Sequence, residues 1–218
     1  MADLSNILHD FSPDSYKFKN KLLPTEYNRT FLDTIFGNQL AEYLKLDIDN
    51  GPWIAGGAVR KSYLNVSMGE SDWDIWFKSP EQFAEAENKL RALGAQQVYT
   101  SSNAISYKFQ DDNYTIHNVQ IIRKRFYDNA EQIINGFDFT VCQLVTDGNR
   151  VIMGPDTARD LKNRTLRLSR PEVPQYIIPR MVKYIVYGYQ PCLELLEQIE
   201  QVVDLIDWSK SNNDYETM

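Results

Sequence analysis

A glycine pair followed by an acidic strand pattern constrains the fold of this chain more than any other feature. Residues 53–77 read WIAGGAVRKSYLNVSMGESDWDIWF, where Gly56-Gly57 ends an apolar segment and Asp72 and Asp74 flank one tryptophan. Side chains at positions i and i+2 of a strand share a face, so the two carboxylates project together. Neighbouring carboxylates repel each other, and a hard divalent cation relieves the repulsion. The pattern therefore predicts either a metal-binding strand or, more simply, an exposed strand face with two solvated acids.

The glycine pair lies between a short apolar strand and a predicted helix over residues 58–64. Backbone amides at a helix start have no intrahelical partners and bind phosphate oxygens, so Gly56 and Gly57 are candidate phosphate contacts, while an ordinary tight turn is the simpler interpretation. Arg60 supports the glycine loop, reaches a phosphate or forms a surface ion pair, and Lys61 is a further nucleotide-binding candidate. Together the two motifs provide an anion site and a cation site, which phosphoryl transfer requires.

Helical and alternating periodicities predict the remaining elements. A helix begins at Pro80 and ends before Gly94, AISYKFQ and YTIHNVQIIRK are strands, and FTVCQLVT and NRVIMG form a hairpin joined at Asp147-Gly148. The aromatic run at residues 183–189, KYIVYGY, is predicted to pack as part of a helix rather than to stack on bases. The order of these elements predicts an α+β fold with a small mixed sheet, flanking helices and a helical C-terminal section.

The chain divides into four predicted parts. Residues 1–50 form an N-terminal helical segment that packs on the core, with its main helix starting at Pro24. Residues 51–155 form the catalytic core, residues 156–208 a helical C-terminal section and residues 209–218 a frayed tail. The N-terminus lacks the pattern of a signal peptide, and no stretch approaches the roughly 18 consecutive apolar residues of a membrane span. Cys142 and Cys192 form no CxxC pair, which disfavours structural zinc and a disulfide framework and favours a cytosolic protein with reduced thiols.

The charge of the chain is unevenly distributed. Its net charge of −7 argues against general attraction to nucleic acid or to anionic membranes. Residues 156–183 nevertheless hold seven Lys/Arg against three acids, and residues 193–218 hold seven acids against one lysine. Four of the basic residues are candidate RNA contacts: Arg159, Lys162, Arg164 and Arg167. The alternative is that this basic segment pairs with the acidic segment.

The ordered motifs resemble polymerase-β-type nucleotidyltransferases. WIAGGAVR followed by SDWDIWF is similar to that superfamily's signature of two glycines, a gap and Asp–x–Asp. FDFTVCQLVTDGNRVIMGPDTARDLKNRTLRL, residues 137–168, resembles the RRDFTxNA to DLKNRxLR run in the head domain of CCA-adding tRNA nucleotidyltransferases and bacterial poly(A) polymerases. IPRMVKYIVYGYQ is loosely similar to a later helix of that branch. The resemblance spans about residues 52–190.

This resemblance implies transfer of a nucleoside monophosphate from an NTP to a hydroxyl acceptor, with release of pyrophosphate. Asp72 and Asp74 would hold Mg²⁺, or alternatively Mn²⁺, and the two glycines would hold the triphosphate. Asp138 would contact the ribose or support the site, and a buried or capping aspartate is the other interpretation. An RNA 3′ end such as that of tRNA is the favoured acceptor. The alternatives are a protein or small-molecule hydroxyl, as in toxin-like enzymes, or a catalytically degenerate module that binds a nucleotide or a partner.

Several positions depart from the family pattern. Gly136 and Phe137 stand at the two arginines of the RRD motif, Cys142 stands at its asparagine, and Lys61 stands where aspartate is usual. Gln120 occupies a position that is often acidic in related enzymes. The EDxxR motif that templates C and A addition has no convincing counterpart, and the tRNA-holding body and tail domains are not recognised, so CCA addition itself is not expected. A compact chain with these altered motifs suits a phage or mobile-element protein in the host cytoplasm.

Overall fold

The computed structural model describes residues 23–26, 35–66, 71–110, 115–170 and 174–203. These residues form ten strands, seven α-helices and one 3₁₀ turn at Thr140–Cys142. The strands are β1 Leu23–Glu26, β2 Trp53–Ala55, β3 Asp72–Trp76, β4 Gln96–Thr100, β5 Ala104–Gln110, β6 Ile116–Ile122, β7 Leu144–Thr146, β8 Arg150–Met153, β9 Thr165–Leu166 and β10 Gln190–Pro191. The helices are α1 Ile35–Leu44, α2 Gly57–Tyr63, α3 Pro80–Ala92, α4 Ala130–Gly136, α5 Thr157–Asn163, α6 Pro174–Val186 and α7 Leu193–Val203.

Eight of the strands form one mixed sheet, in the order β1-β8-β7-β2-β3-β6-β5-β4. The β3–β6 pair is parallel, and the other neighbouring pairs are antiparallel. Strands β9 and β10 form a separate parallel pair. The predicted α+β fold with a mixed sheet is therefore confirmed, and β2 and β3 lie at the centre of its sheet.

The two central strands differ in how their faces are covered. Strand β2 is buried on both faces, because Ile54 belongs to the main hydrophobic cluster while Trp53 and Ala55 belong to a second one. On β3, Trp73 and Ile75 are buried in the main cluster, whereas the alternate positions point away from it. This alternation is what the sequence pattern predicts for a strand with one polar face.

Local sequence signals account for several element boundaries. Helix α3 begins after Ser79, whose hydroxyl accepts a hydrogen bond from the Gln82 amide at 3.3 Å, and Gly94 follows the helix with a φ of +79°. The β7–β8 turn is held by the Asp147 carboxylate, which accepts hydrogen bonds from the amides of Asn149 and Arg150 at 2.9 and 2.7 Å. The predicted helix and hairpin are both present.

Three parts of the sequence prediction are wrong. Residues 23–26 form an edge strand paired with β8 rather than the start of a helix, which is compatible with the missing N–H of Pro24 because an edge strand leaves one side unpaired. Strand β4 was not predicted because all five of its residues are exposed and it shows no alternation of burial. Residues 140–142 form a 3₁₀ turn instead of continuing a strand. The predicted frayed tail lies outside the described residues.

The helices on either side of the core join it through apolar contacts. Helix α1 contributes Leu40 and Leu44 to the main cluster, α6 contributes Ile177 and Tyr184, and α7 contributes Leu195. None of the helices in the described part of the chain is long and apolar enough to cross a membrane.

The burial pattern predicts very different costs for the same substitution at two valines. Val119 on β6 is 0% exposed and Val98 on β4 is 51% exposed. Val119→Ala should lower the free energy of unfolding by about 2 kcal/mol, because it removes two buried methyl groups and leaves a cavity. Val98→Ala should change it by less than about 0.5 kcal/mol. Urea unfolding of both variants is the measurement, and equal losses would contradict the described sheet order.

Candidate active site

The glycine turn and the acidic strand meet at the centre of the sheet. Ala55 pairs with Asp74 in the β2–β3 ladder, so the turn that follows Ala55 passes directly over that carboxylate. Gly56 has a φ of +83°, a conformation that side chains disfavour. A Cβ atom on Gly56 would lie 3.8 Å from Asp74 Oδ2 and 3.5 Å from the ring of Phe137. The structure therefore brings together the two motifs that the sequence singled out.

The two glycines differ in what surrounds them. The Gly56 amide donates to the Leu144 carbonyl at 3.1 Å, so this amide belongs to the sheet. Gly57 is the first residue of α2, and a Cβ atom placed on it would meet no heavy atom of the described chain within 4 Å. Gly56 thus shapes the turn, while no atom of the described residues closes the space beside Gly57.

A row of polar side chains extends from β3 onto β6. In the parallel register, Asp72 lies beside Asn118 and Asp74 lies beside Gln120. Facing residues of paired strands project to the same side, so two amides accompany the two carboxylates. The position next to Asp74 where an acid is often found in related enzymes therefore carries the amide of Gln120.

The electrostatics of the carboxylates are set mainly by burial. The pKa of Asp74 is raised to about 7, mainly by burial and in addition by the charge of Asp72, while the ammonium of Lys183 on α6 opposes both effects. Burial also raises the pKa of Asp72, again opposed by Lys183. Two carboxylates held at such a disadvantage are a setting in which a bound cation is favourable.

The donor set fits a metal that arrives with its substrate. The described residues contain no group of three or more His, Cys, Asp or Glu side chains arranged to enclose a metal ion. Mg²⁺ is commonly held by one or two carboxylates together with substrate phosphates and water, without a complete protein cage. Asp72 and Asp74 match this arrangement.

Arg60 is buried and connects two helices. It is 6% exposed, which excludes the surface ion pair considered for it. Its guanidinium lies 4.9 Å from the centroid of the Tyr184 ring and donates to the Tyr184 hydroxyl at 3.1 Å, with Cys142 Sγ at 3.7 Å. The described side-chain contacts of Arg60 therefore tie α2 to α6.

Asp138 has a similar connecting position. It is 3% exposed, its Oδ1 accepts a hydrogen bond from the Phe139 amide at 2.9 Å, and its Oδ2 lies 2.8 Å from Arg180 Nη1. These contacts match the interpretation of Asp138 as a buried aspartate, and they anchor α6 a second time.

The four basic residues considered for RNA have several partners within the chain. Arg159 pairs with Asp156 and Asp160, both at 3.1 Å, and Arg167 pairs with Asp160 at 3.4 Å. Arg167 also reaches Glu194 of the acidic segment at 3.4 Å. Arg164 lies 5.4 Å from the centroid of the Tyr189 ring, and Lys162 is exposed. Among these ion pairs, that of Arg167 with Glu194 joins the basic segment to the acidic one, whereas the partners of Arg159 lie within the basic segment itself.

Two features of the site were missed in the sequence. Lys183 acts on Asp72 and Asp74 from α6, although it belongs to the run that predicts only helix packing. Trp76 continues the face of the carboxylates and meets Phe137 edge to face, with ring centroids 5.9 Å apart. The strand period of β3 places Trp76 on the face of the carboxylates, whereas no local pattern in the sequence relates Lys183 to β3.

Comparison with solved structures confirms the fold. The Thermotoga maritima CCA-adding enzyme complexed with tRNA matches with a TM-score of 0.60 at 15% identity, over 84% of this chain and 46% of the enzyme. A CCA-adding enzyme in complex with CTP matches with a TM-score of 0.63 at 18% identity, over 84% of this chain and 47% of the enzyme. The fold is that of the nucleotidyltransferase head domain, as the motifs predicted.

Sequence comparison identifies a narrower group. The protein "Gabija anti-defense 2" of Bacillus phage SPbetaL7 is 31% identical over 117 residues, which span 54% of this chain and 27% of that protein. The chain thus matches about a quarter of the length of this relative. A family model described as "Gabija anti-defense 2 family protein" matches residues 26–164, more than half of the chain. The chain therefore belongs to the Gabija anti-defense 2 family.

Proposed function

We propose that this chain carries the nucleotide site of a metal-dependent nucleotidyltransferase, which transfers a nucleoside monophosphate from an NTP to a hydroxyl acceptor and releases pyrophosphate. The observation that supports this most directly is the position of the Gly56 turn, whose Cβ site lies 3.8 Å from Asp74 Oδ2. On this proposal the turn that binds the phosphates and the carboxylate that binds their metal lie side by side, on a fold shared with CCA-adding enzymes that were solved with CTP and with ATP.

Each residue of the site has a defined part in this proposal. Asp72 and Asp74 hold Mg²⁺ or Mn²⁺, and such an ion, when bound, neutralises the triphosphate and lowers the pKa of the attacking hydroxyl. Gly57 leaves space for the phosphates beside Asp74, and its amide is a donor for them. Arg60 and Asp138 hold α2 and α6 in place, which keeps the reacting groups in line.

The family description supports a biological setting for the reaction. The relative from Bacillus phage SPbetaL7 is described as Gabija anti-defense 2. We infer that transfer by this chain counters a defence system in the host cytoplasm, by modifying a component of that system. Because the chain matches only 27% of this relative, the proposal concerns the nucleotide site and leaves the acceptor surface to be found by experiment.

Two classes of acceptor follow from the observations. The CCA-adding enzyme solved with tRNA supports an RNA 3′ end. The ion pairs of Arg159 and Arg167, together with the net charge of −7, favour a protein hydroxyl as the second candidate.

The reaction is tested by incubating the purified protein with each α-³²P-labelled NTP, Mg²⁺ or Mn²⁺, and RNA and protein extracts of the host. Label should appear in one macromolecular fraction. Asp72→Asn and Asp74→Asn should each reduce transfer at least about 100-fold, because each removes a carboxylate charge that would hold the metal ion, and the metal ion would neutralise the charge of the transition state. Asp128→Asn, at an exposed acid before α4, is the matched control and should transfer normally. If the folded wild-type protein labels no fraction, the proposal of transfer is wrong, and nucleotide binding alone becomes the proposed function.

The raised pKa of Asp74 predicts an unusual pH dependence of stability. Its pKa of about 7 in the folded chain exceeds the ordinary value of 3.8, so between these values the folded state retains a proton that the unfolded state has released. Stability of the metal-free protein should therefore fall as pH rises through this interval. Asp74→Asn removes the effect, so the melting temperature of this variant should exceed that of wild type increasingly from about pH 5 to about pH 8.

Melting temperatures in EDTA and in excess Mg²⁺ measure this effect. Mg²⁺ should raise the melting temperature of wild type at the higher pH and leave Asp74→Asn unchanged, because the ion binds the ionised carboxylate. Asp128→Asn should follow wild type throughout. Parallel curves for wild type and Asp74→Asn would show that Asp74 has no raised pKa.

A further inference from the structure

The outer surface of helices α6 and α7 is apolar although it is exposed. Half of the large apolar side chains that are exposed in the described part of the chain lie within residues 182–196: Val182, Ile185, Val186, Tyr187, Leu193 and Leu196. Val186 ends α6 and Leu193 begins α7, and these two side chains are 78% and 67% exposed. Such a concentration of exposed apolar groups marks a surface that another molecule covers.

Helix α6 is apolar on two sides. On its inner side, Ile177 and Tyr184 belong to the main hydrophobic cluster. On the side away from that cluster, Val182, Ile185 and Val186 recur at the spacing of three and four residues that forms one helical stripe. A helix that is apolar all round is normally buried all round. The outer stripe of α6 therefore indicates a protein partner.

Charged residues lie at opposite ends of this surface. Its basic end is at the connection between the two helices, where the Arg164 carbonyl accepts a hydrogen bond from the Gln190 amide at 2.7 Å, and Lys162 lies two residues earlier. Its acidic end lies about one and two turns into α7, at the exposed Glu197 and Glu200. Among the described residues, Lys162 and the two glutamates form no ion pair. These charges are thus available to a partner.

A second copy of the chain matches this distribution of charge. A two-fold axis through the apolar middle of the surface reverses its ends, so the basic end of each copy meets the acidic end of the other. Apolar side chains then meet at the centre, where burial is most favourable. A nucleic acid backbone would be repelled by the two glutamates, and a protein surface of one charge would match only one end.

We propose that this protein forms a symmetric dimer through the outer surface of α6 and α7. In this dimer Lys162 and Arg164 of one copy face Glu197 and Glu200 of the partner subunit, and the contact occurs twice. Dimerisation requires no nucleotide and is independent of the proposed function.

Sedimentation equilibrium and light scattering test the apolar part of the interface. The wild-type chain should dimerise at concentrations up to about 100 µM. Val186→Glu and Leu193→Glu should each weaken the dimer at least about tenfold, because each places a charge in the apolar centre. Val98→Glu, at an exposed valine of β4, is the matched control and should dimerise as wild type. Near-ultraviolet circular dichroism should be unchanged in all three variants, since the replaced side chains are exposed.

Charge reversal tests the orientation of the two copies. The variants Lys162→Glu/Arg164→Glu and Glu197→Lys/Glu200→Lys should each dimerise at least about tenfold more weakly than wild type, because like charges meet at both ends. An equimolar mixture of the two variants should recover the wild-type affinity as a heterodimer, because opposite charges then meet at both ends. This recovery is specific to a two-fold contact between these residues.

Three results would overturn the inference. A wild-type chain that stays monomeric over this range of concentration would show that a second copy does not cover the surface. A dimer that tolerates both Val186→Glu and Leu193→Glu would have its interface elsewhere. Loss of the dimer in both charge-reversed variants without recovery in their mixture would show that the two ends do not meet.

Discussion

The pairing of β2 with β3 is the contact on which the rest of the site depends. It places Ala55 opposite Asp74, so the chain leaves the sheet directly above a carboxylate and enters α2 within one residue. Burial of Ile54 and Ile75 in the main cluster fixes this register, because a slip of one residue would turn the aspartates into the core. Apolar packing thereby holds the Asp74 carboxylate in a position where burial disfavours its charged form.

The motifs at the centre of the site were predictable from the sequence, whereas the buried contacts that hold the surrounding helices in place were not. The glycine pair, the period-two pattern of β3 and the Asp147-Gly148 turn act over a few residues, so local patterns identify them. The contact between Arg60 and Tyr184 joins residues 124 positions apart, and no local period reveals it. Strand β4 was not predicted for a different reason: all of its residues are exposed, so it shows no alternation of buried and exposed positions.

The likeness to CCA-adding enzymes shows how unevenly the site and its scaffold have diverged. The fold matches that of CCA-adding enzymes with TM-scores of 0.60 and 0.63, although only 15% and 18% of the residues are identical. By the sequence resemblance, Phe137 stands at an arginine position of that family, and Gln120, which pairs with Asp74, stands at a position that is often acidic. A scaffold tolerates such replacements because apolar packing behind the strand maintains it, whereas the substrates that the site accepts change with each replaced side chain.

The two anchors of α6 have a thermodynamic consequence. Separation of α6 from the core would strand the buried charges of Arg60 and Asp138, so the docked helix is strongly favoured. Arg60 joins α6 to α2, the helix that begins at the glycine turn, so docking of α6 and the geometry of the turn are coupled. A ligand that binds more tightly when α6 is docked would favour docking by the same factor. A partner that binds the outer face of α6 would then change the affinity of the site without entering it.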